Sequence, residues 1–263
     1  MTDASWLTVA LETTGGFESA GDPWVACAGD FDGMGISAGI LQWNIGQGTL
    51  QPLIRALGEA ALLTAMPRYG AFLWRAVHLP PAEALPIVRS WQGRRNRLAP
   101  LLKAELGTLM GSEAMRAQQT LAAGKIAARA EMFAASWAAS LGRAMTLRDF
   151  CWFFDLVVQN GGLKGISIGD VQDVIARVED PMAMVCFWLD SLSHPDARRN
   201  AVLWRQAELS PLFILSYLRA QKARPEYAAA VMNRKGTIAL GQGWVNGSLR
   251  DLDARFSAAA VAA

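Results

Sequence analysis

The chain has 263 residues, of which 52% are hydrophobic and 18% are charged, and its formal net charge is +2. This length and apolar content are sufficient for one large domain or two tightly joined lobes with a substantial core. The weak positive charge is compatible with an anionic polymer as a partner, but it is too small to indicate nucleic-acid binding.

Residues that build common metal sites and nucleophilic centres are scarce. Cys27, Cys151 and Cys186 are widely spaced and form no C-x-x-C pair, so we expect neither a disulfide framework nor a cysteine metal site. The two histidines, His78 and His194, adjoin no serine or cysteine motif. We therefore expect no catalytic triad, no metal and no organic cofactor.

The N-terminal sequence lacks a basic region followed by an apolar core. We therefore expect a protein made in the cytoplasm without a secretory signal peptide. No apolar run approaches the roughly 20 residues that a membrane span requires, so we also expect no membrane insertion.

The first candidate catalytic group is the carboxylate of Glu12. The apolar residues 6–11 predict a short helix, and Gly15 and Gly16 are expected to end it, which would place Glu12 in the last turn. There the unpaired helix carbonyls and apolar neighbours would raise the pKa of a carboxylate toward the value that a general acid needs. The alternative is a solvated glutamate at a frayed helix end.

The second candidate carboxylate lies in a glycine-rich turn. Gly33 and Gly35 permit the positive φ angles of a tight hairpin, so we expect Asp32 at its tip or base and a strand over residues 36–43. Asp30 is the competing carboxylate. An aspartate before glycine also occurs in purely structural turns.

The next residues predict helices. Thr49 is expected to be the N-cap of a helix, and two further helices over residues 69–97 should break at residues 80–81. Residues 125–140 favour a long helix that joins the two lobes. The apolar face of the helix after Thr49 is expected to contain Leu50, Leu53, Ile54, Leu57 and Leu62.

Residues 146–162 predict a central buried helix. Thr146 and Asp149 form a start similar to a capping box, and Gly161 and Gly162 mark the end. Asp155 lies in the middle of this helix. Because an unpaired buried carboxylate is costly, we expect Asp155 to meet an arginine or a hydroxyl group.

Two motifs in residues 12–53 resemble those of a known superfamily. The glutamate at the first helix, followed by D-G-x-G-x-[ST]-x-G, is similar to the catalytic region of inverting chitosanases. The segment SAGILQ, residues 37–42, resembles a strand of lytic transglycosylases and goose-type lysozymes. The longer run from E-T-T through GDFDGMGISAGILQWNIGQGTLQPL is similar to peptidoglycan-hydrolysing domains of phage and bacterial origin. These families of enzymes all belong to the lysozyme-like superfamily.

This resemblance implies a fold and a mechanism. The fold would be mainly α (α+β), a single two-lobed catalytic domain with a small β-hairpin lobe over about residues 1–65 and a helical lobe over about 66–263. Glu12 matches the general acid, Asp32 the general base, and Ser37 the hydroxyl that positions the attacking water. Under a different alignment Glu18 is the acid.

The resemblance also implies substrate contacts. Residues 146–162 are similar to the F-D-x-x-V-Q-[HN]-G helix of the superfamily, whose end faces the substrate. Residues 233–247 resemble a closing segment of the peptidoglycan hydrolases, and their glycines and polar side chains disfavour a helix interior. Arg234 is expected to neutralise Asp155 or to keep the general base ionised; a purely structural turn is the alternative for the other residues of this segment. The expected sugar contacts are Gln42, Trp43, Asn44, Gln159, Asn160, Arg234 and Asn246.

The expected function is that of a peptidoglycan hydrolase of the muramidase type. It would cleave β-1,4 bonds between amino sugars with inversion, as an antibacterial cell-wall-degrading effector or a phage lysin. Its expected partners are peptidoglycan glycan strands, a secretion apparatus component and an immunity protein. It would act in the periplasm or cell wall after delivery by phage lysis or contact-dependent secretion. The alternatives are a chitosanase and an inactive glycan-binding module of the same fold.

Overall fold

The computed structural model describes residues 4–18 and 21–256. The prediction of a mainly α-helical chain with a small β element is confirmed. In chain order the helices are α1 (Ala4–Glu18), α2 (Leu50–Leu57), α3 (Glu59–Ala65), α4 (Gly70–Ala76), α5 (Pro81–Arg89), α6 (Pro100–Gly111), α7 (Glu113–Ser140), α8 (Leu147–Asn160), α9 (Ile168–Arg177), α10 (Pro181–Ser191), α11 (Pro195–Trp204), α12 (Pro211–Gln221) and α13 (Pro225–Leu240).

The strands are short and antiparallel. β1 (Cys27–Ala28), β2 (Ser37–Ala38) and β3 (Trp43–Asn44) form one sheet in the order β1-β2-β3. β4 (Gln242–Val245) and β5 (Ser248–Asp251) form a separate hairpin. No helix within residues 4–18 and 21–256 combines the length and the apolar character that crossing a bilayer demands.

The chain forms two compact units. We call residues 1–17 together with 126–263 the terminal unit, and residues 18–125 the central unit. The predicted division near residue 65 falls inside the central unit. The long helix predicted over residues 125–140 is observed as α7, which begins earlier, at Glu113, and contains the boundary between the units.

The predicted end of the first helix is wrong. α1 continues through Gly15 and Gly16 to Glu18. Tertiary contacts favour this extension, because Phe17 is 2% exposed and the Asn246 side-chain amide donates to the Phe17 carbonyl at 2.7 Å. Burial and a satisfied terminal carbonyl outweigh the low helix propensity of glycine. Glu12 therefore lies more than one turn before the end of the helix.

The predicted strand over residues 36–43 is also wrong. It is divided into β2 and β3 by a turn in which Gly39 has φ 79° and Gln42 has φ 53°. A Cβ atom on Gly39 would clash with the side chains of Gln119 and Met110. The Gln119 side-chain carbonyl oxygen instead accepts the N–H of Ile40 at 2.9 Å. A tight turn packed against α6 and α7 replaces the continuous strand.

Most of the other predicted helices are found. Thr49 precedes α2, but its hydroxyl bonds to the Asn44 backbone rather than capping the helix. α2 stops before Gly58, which has φ 89°, so Leu62 lies on α3 rather than on the same helix. The break at residues 80–81 is confirmed between α4 and α5.

The buried helix of the terminal unit is confirmed as α8. Thr146 and Asp149 form the predicted capping box, and Gly161 follows the helix with φ 71°. In contrast, the expectation of non-helical structure after residue 233 is wrong up to residue 240, because α13 continues to Leu240. Gly236 is required inside α13: a Cβ there would lie 2.6 Å from the Trp204 ring. Close packing of α11 on α13 thus explains the glycine that suggested a turn.

Gly39→Ala should lower the free energy of unfolding by roughly 2–5 kcal/mol. The left-handed backbone conformation of residue 39 accounts for about 1–2 kcal/mol of this loss. Overpacking of the new methyl group against Gln119 and Met110 accounts for about 1–3 kcal/mol. Urea unfolding followed by circular dichroism measures the change. Gly33→Ala is the matched control, because Gly33 has φ 82° but no atom lies within 4 Å of the position that its Cβ would take. Equal losses for the two variants would contradict the packing argument.

Candidate active site

Glu12 lies on α1 in the terminal unit. Its side chain is 42% exposed, and Arg255 Nη1 lies 3.8 Å from Glu12 Oε2. Such an exposed pair contributes little to stability. Glu12 lines a cavity of about 210 Å³ together with Phe17, Asp251 and Arg255. The helix-end argument for a proton donor at Glu12 is wrong, because the helix does not end there.

Glu18 is the residue that occupies the end of α1. It is the last helical residue and its side chain is exposed. The helix carbonyl dipoles that were expected near Glu12 therefore act near Glu18 instead. The motif resemblance assigns the acid to Glu12, whereas Glu18 is the carboxylate that lies at the end of the helix.

Asp32 and Asp30 have different surroundings in the turn that both occupy. Gly33 and Gly35 have φ 82° and 83°, as predicted. Asp32 is exposed, and its Oδ1 accepts the N–H of Met34 at 3.0 Å. Asp32 is therefore oriented by the turn while it remains open to solvent.

Asp30 is held inside the turn. Arg89 Nε donates to Asp30 Oδ2 at 2.6 Å, and the N–H of Gly35 donates to Oδ1 at 2.6 Å. Burial raises the pKa of Asp30, but the hydrogen bonds from Arg89 and Gly35 and the Arg89 charge lower that pKa below its ordinary value. Arg89 Nη2 also donates to the Gly33 carbonyl at 2.9 Å. Asp30 and Arg89 together fix the turn that carries Asp32.

The remaining predicted residues of the central unit lie in the small sheet and its turns. Ser37 is 3% exposed and pairs with Ala28 and Asn44 across the sheet. The Gln42 amide donates to the Gly39 carbonyl at 2.9 Å, and Asn44 exchanges two hydrogen bonds with Gln47. Trp43 is 7% exposed. Direct sugar contacts by these side chains stay predictions.

The predicted pairing of Arg234 with Asp155 is confirmed. Arg234 Nη2 lies 2.6 Å from Asp155 Oδ1, and Lys235 Nζ lies 2.7 Å from Oδ2. Burial raises the pKa of Asp155, yet the two cations lower it to about 2. Burial also lowers the pKa of Lys235 to about 8, against the opposing effect of Asp155. We call these three residues the buried ion cluster.

Gln159 and Asn160 line a second cavity in the terminal unit, of about 400 Å³. We call it the basic cavity, because Lys164, Arg219 and Arg224 also line it. Asn246 donates its side-chain amide to the Phe17 carbonyl near the end of α1, and its predicted contact with the substrate stays a prediction. Gln159 and Asn160 thus share one cavity, whereas Glu12 lines another.

Sequence reasoning missed Arg89 and Arg219. Arg89 lies far along the chain from the turn that it fixes, and Arg219 follows an apolar stretch with no motif around it. The one signal in the sequence was Asp30 itself, since a second aspartate in a turn needs a partner when it is partly buried.

Clusters of metal ligands and reactive thiols are not found in the described part of the chain. Residues 4–18 and 21–256 contain no group of three or more histidine, cysteine, aspartate or glutamate side chains placed to hold a metal ion. The cysteines are free, and burial raises the pKa of the Cys27 thiol to about 12. A thiol with that pKa is not an effective nucleophile at neutral pH.

Comparisons with protein-family models, with curated proteins and with solved structures found no match.

Asp155→Asn should destabilise the protein by about 3–5 kcal/mol, because it removes the carboxylate that the buried Arg234 and Lys235 share. In the wild type the folded-state pKa of Asp155 is lowered, so its contribution is present above the ordinary value of 3.8 and is lost as the pH falls toward about 2. The variant should lack this acid-dependent loss. Urea unfolding between pH 2 and pH 7 measures both effects.

Asp173→Asn is the matched control for this prediction. Asp173 pairs with Arg177 at 3.2 Å on an exposed face of α9. Its replacement should change the free energy of unfolding by less than about 0.5 kcal/mol. If the two substitutions cost the same, the buried ion cluster does not carry the stability assigned to it.

Proposed function

We propose that this protein is a peptidoglycan hydrolase of the muramidase type, with a lysozyme-like fold. It cleaves β-1,4 glycosidic bonds between amino sugars. The observation that carries the proposal is the turn over residues 30–35, where Asp30 and Arg89 fix the backbone and Asp32 is left exposed. This arrangement supports the assignment made by the motif resemblance, in which Asp32 is the catalytic base.

The choice of Asp32 over Asp30 follows from hydrogen bonding. A general base must accept a proton from water, so it needs a free lone pair and access to solvent. Both oxygens of Asp30 are engaged by Arg89 and Gly35, and its pKa is held low. Asp32 is exposed and uses one oxygen for the Met34 N–H. Asp32 is therefore the better base and Asp30 is its positioning residue.

In the proposed mechanism Glu12 protonates the leaving oxygen while Asp32, with Ser37, activates a water on the opposite face of the sugar ring. Inverting enzymes hold the two carboxyl groups roughly 6.5–9.5 Å apart to leave room for that water. The reaction adds one water molecule across the glycosidic bond. It therefore needs one group that gives a proton to the leaving oxygen and one that takes a proton from the water, and two carboxyl groups can fill these roles. Glu18, at the end of α1, is the alternative acid.

Peptidoglycan is favoured over chitosan as the substrate. The long motif over residues 12–53 resembles cell-wall hydrolases, and chitosan, a polycation, would suit a more acidic surface. The net charge of +2 is compatible with an anionic wall polymer. An antibacterial effector or a phage lysin, delivered to the periplasm or cell wall and paired in the producing cell with an immunity protein, is the biological role that this substrate implies.

Glu12→Gln and Asp32→Asn should each lower the rate of cell-wall hydrolysis by roughly 10²–10⁴-fold, because each removes one arm of general acid–base catalysis. The loss of turbidity of purified cell walls measures the rate. Glu18→Gln should retain near wild-type activity. Both substituted side chains at positions 12 and 32 are partly or fully exposed, so the variants should fold like the wild type.

Asp173→Asn controls for the loss of a surface carboxylate and should lyse walls at the wild-type rate. A large loss in Glu18→Gln with unchanged lysis by Glu12→Gln would transfer the acid to Glu18. Binding of walls without lysis by the wild type would instead support an inactive glycan-binding module. Lysis of chitosan but not of cell walls would support a chitosanase.

A further inference from the structure

A short loop that carries three arginines packs against the turn that holds the proposed base. We call residues 93–97 the arginine loop. The Gly93 N–H donates to the Arg97 carbonyl at 2.8 Å, and the flanking residues Gln92 and Leu98 form a β-bridge. The arginine loop is therefore closed at its base by main-chain contacts.

Two polar side chains join this loop to the turn. Gln92 Oε1 accepts the Asp30 N–H at 2.8 Å, and Gln92 Nε2 donates to the Gly35 carbonyl at 2.9 Å. Asn96 Nδ2 donates to the Asp30 carbonyl at 2.9 Å. A Cβ atom on Gly29 would clash with the Asn96 carbonyl oxygen, so the two main chains are in direct contact. Both backbone groups of Asp30 are thus held by the arginine loop and its base.

The arginine loop has a strained backbone. Arg95 has φ 59° and Asn96 has φ 57°, in the left-handed region that favours glycine. Asparagine tolerates this region, but arginine does so at a greater cost. Strain of this kind is concentrated at binding sites, where a particular side chain is needed at a particular place. The backbone therefore indicates that the Arg95 side chain has a binding role.

The three arginines have no acidic partner within the described part of the chain. Arg94, Arg95 and Arg97 are exposed, and no described carboxylate oxygen lies within 4.0 Å of their guanidinium nitrogens. Asp30, which the loop contacts, is already paired with Arg89. Like charges on three of four successive residues repel one another, and a bound anion would offset that repulsion.

Phe31 adds an apolar face next to Asp32. Its side chain is 75% exposed, whereas its N–H donates to the Gly29 carbonyl at 2.9 Å and Asp30 before it is held on both sides. An exposed aromatic ring on a held backbone can pack against the C–H groups of a sugar ring, and arginines bind carboxylates strongly. An aromatic face beside several arginines is therefore suited to an acidic sugar.

We propose that Phe31 and the arginine loop form a binding surface for a sugar unit that carries a carboxylate. This surface selects acidic glycan strands over neutral ones, next to the bond that is cleaved at Asp32. The position of the cleaved bond rests on the proposed function, whereas the binding of the acidic sugar does not. In a cell wall the carboxylate belongs either to the sugar ring's own ether substituent or to a peptide attached to it.

Isothermal titration of the full chain carrying Glu12→Gln tests the proposal. The ligand is a tetrasaccharide of alternating N-acetylglucosamine and N-acetylmuramic acid with free carboxylates, and its uncharged carboxamide is the matched control. The acid should bind at least tenfold more tightly, and this ratio should fall as salt is raised. If the variant cleaves the ligands, the ratio of their KM values takes the place of the ratio of Kd values. Equal values for the two ligands, or no binding of the acid up to millimolar concentration, would overturn the proposal.

Replacement of two arginines locates the anion. Arg94→Gln combined with Arg97→Gln leaves both left-handed residues in place, and it should weaken the acid at least tenfold but the carboxamide less than twofold. Arg75→Gln combined with Lys125→Gln removes the same charge from two other exposed positions of the central unit and should change neither affinity. Unchanged affinity for the acid in the first double variant would place the anion elsewhere and overturn the proposal.

Replacement of Phe31 locates the sugar ring. Phe31→Ala should weaken the acid and the carboxamide by the same factor, at least fivefold, because both ligands have the same rings. Leu121→Ala is the control, since Leu121 is 74% exposed and lies in the same unit. Thermal unfolding of each variant verifies that it is folded. Wild-type affinities in Phe31→Ala would contradict the sugar contact.

Two further ligands identify the source of the anion. In the first, each sugar carboxylate is joined by an amide bond to alanyl-glutamate, which moves the charge from the ring to the peptide. Tighter binding of this ligand assigns the carboxylate to the peptide, and tighter binding of the free form assigns it to the sugar. The second ligand is a short single-stranded oligodeoxythymidine. If it binds more tightly than the tetrasaccharide and loses affinity in the same variants, the surface recognises nucleic acid and the proposal fails.

Wall lysis by the wild type is measured separately, so the two proposals can fail independently. Lysis together with equal affinities for the acid and the carboxamide removes the assignment of the binding surface alone. Preference for the acid without lysis removes the hydrolase assignment alone.

Discussion

The terminal unit depends on one buried carboxylate. Asp155, in the middle of α8, holds Arg234 and Lys235 of α13 at 2.6 and 2.7 Å. Arg234 also donates to the Thr14 carbonyl of α1 at 3.4 Å and lies over the Phe17 ring at 5.1 Å. Three helices that are distant in the sequence are therefore tied to one charge. Because all three charged groups are buried, loss of Asp155 removes the carboxylate that two buried cations share and is costly.

A second ion pair, in the central unit, likewise ties together parts of the chain that are distant in the sequence, but it holds only one turn. Asp30 and Arg89 fix the turn over residues 30–35 through two backbone contacts, to Gly35 and to Gly33. The same turn holds Asp32, whose Oδ1 accepts the N–H of Met34 at 3.0 Å while the side chain stays exposed. In both units a carboxylate is held by a cation and orders the backbone around it.

Sequence patterns correctly predicted the features that depend on neighbouring residues or on the cost of burying a charge. The capping box of α8, the positive φ angles of Gly33 and Gly35 and the need of Asp155 for a cation all follow from neighbouring residues or from the cost of a buried charge. Glycines misled at two places. Gly236 is needed for close packing against Trp204, whereas α1 continues past Gly15 and Gly16 because Asn246 satisfies a carbonyl at its end. Residues such as Arg89 and Arg219 act through partners far along the chain, so no window of sequence reveals them.

The proposed mechanism makes Glu12 and Asp32 the acid and the base for one β-1,4 bond, without a covalent intermediate. Proton NMR of the reducing ends released in the first turnovers on cell-wall glycan strands measures the anomer directly. The account predicts the α anomer at first appearance, because water attacks the face opposite the leaving oxygen. Release of the β anomer, or of anhydro ends without uptake of water, would contradict it.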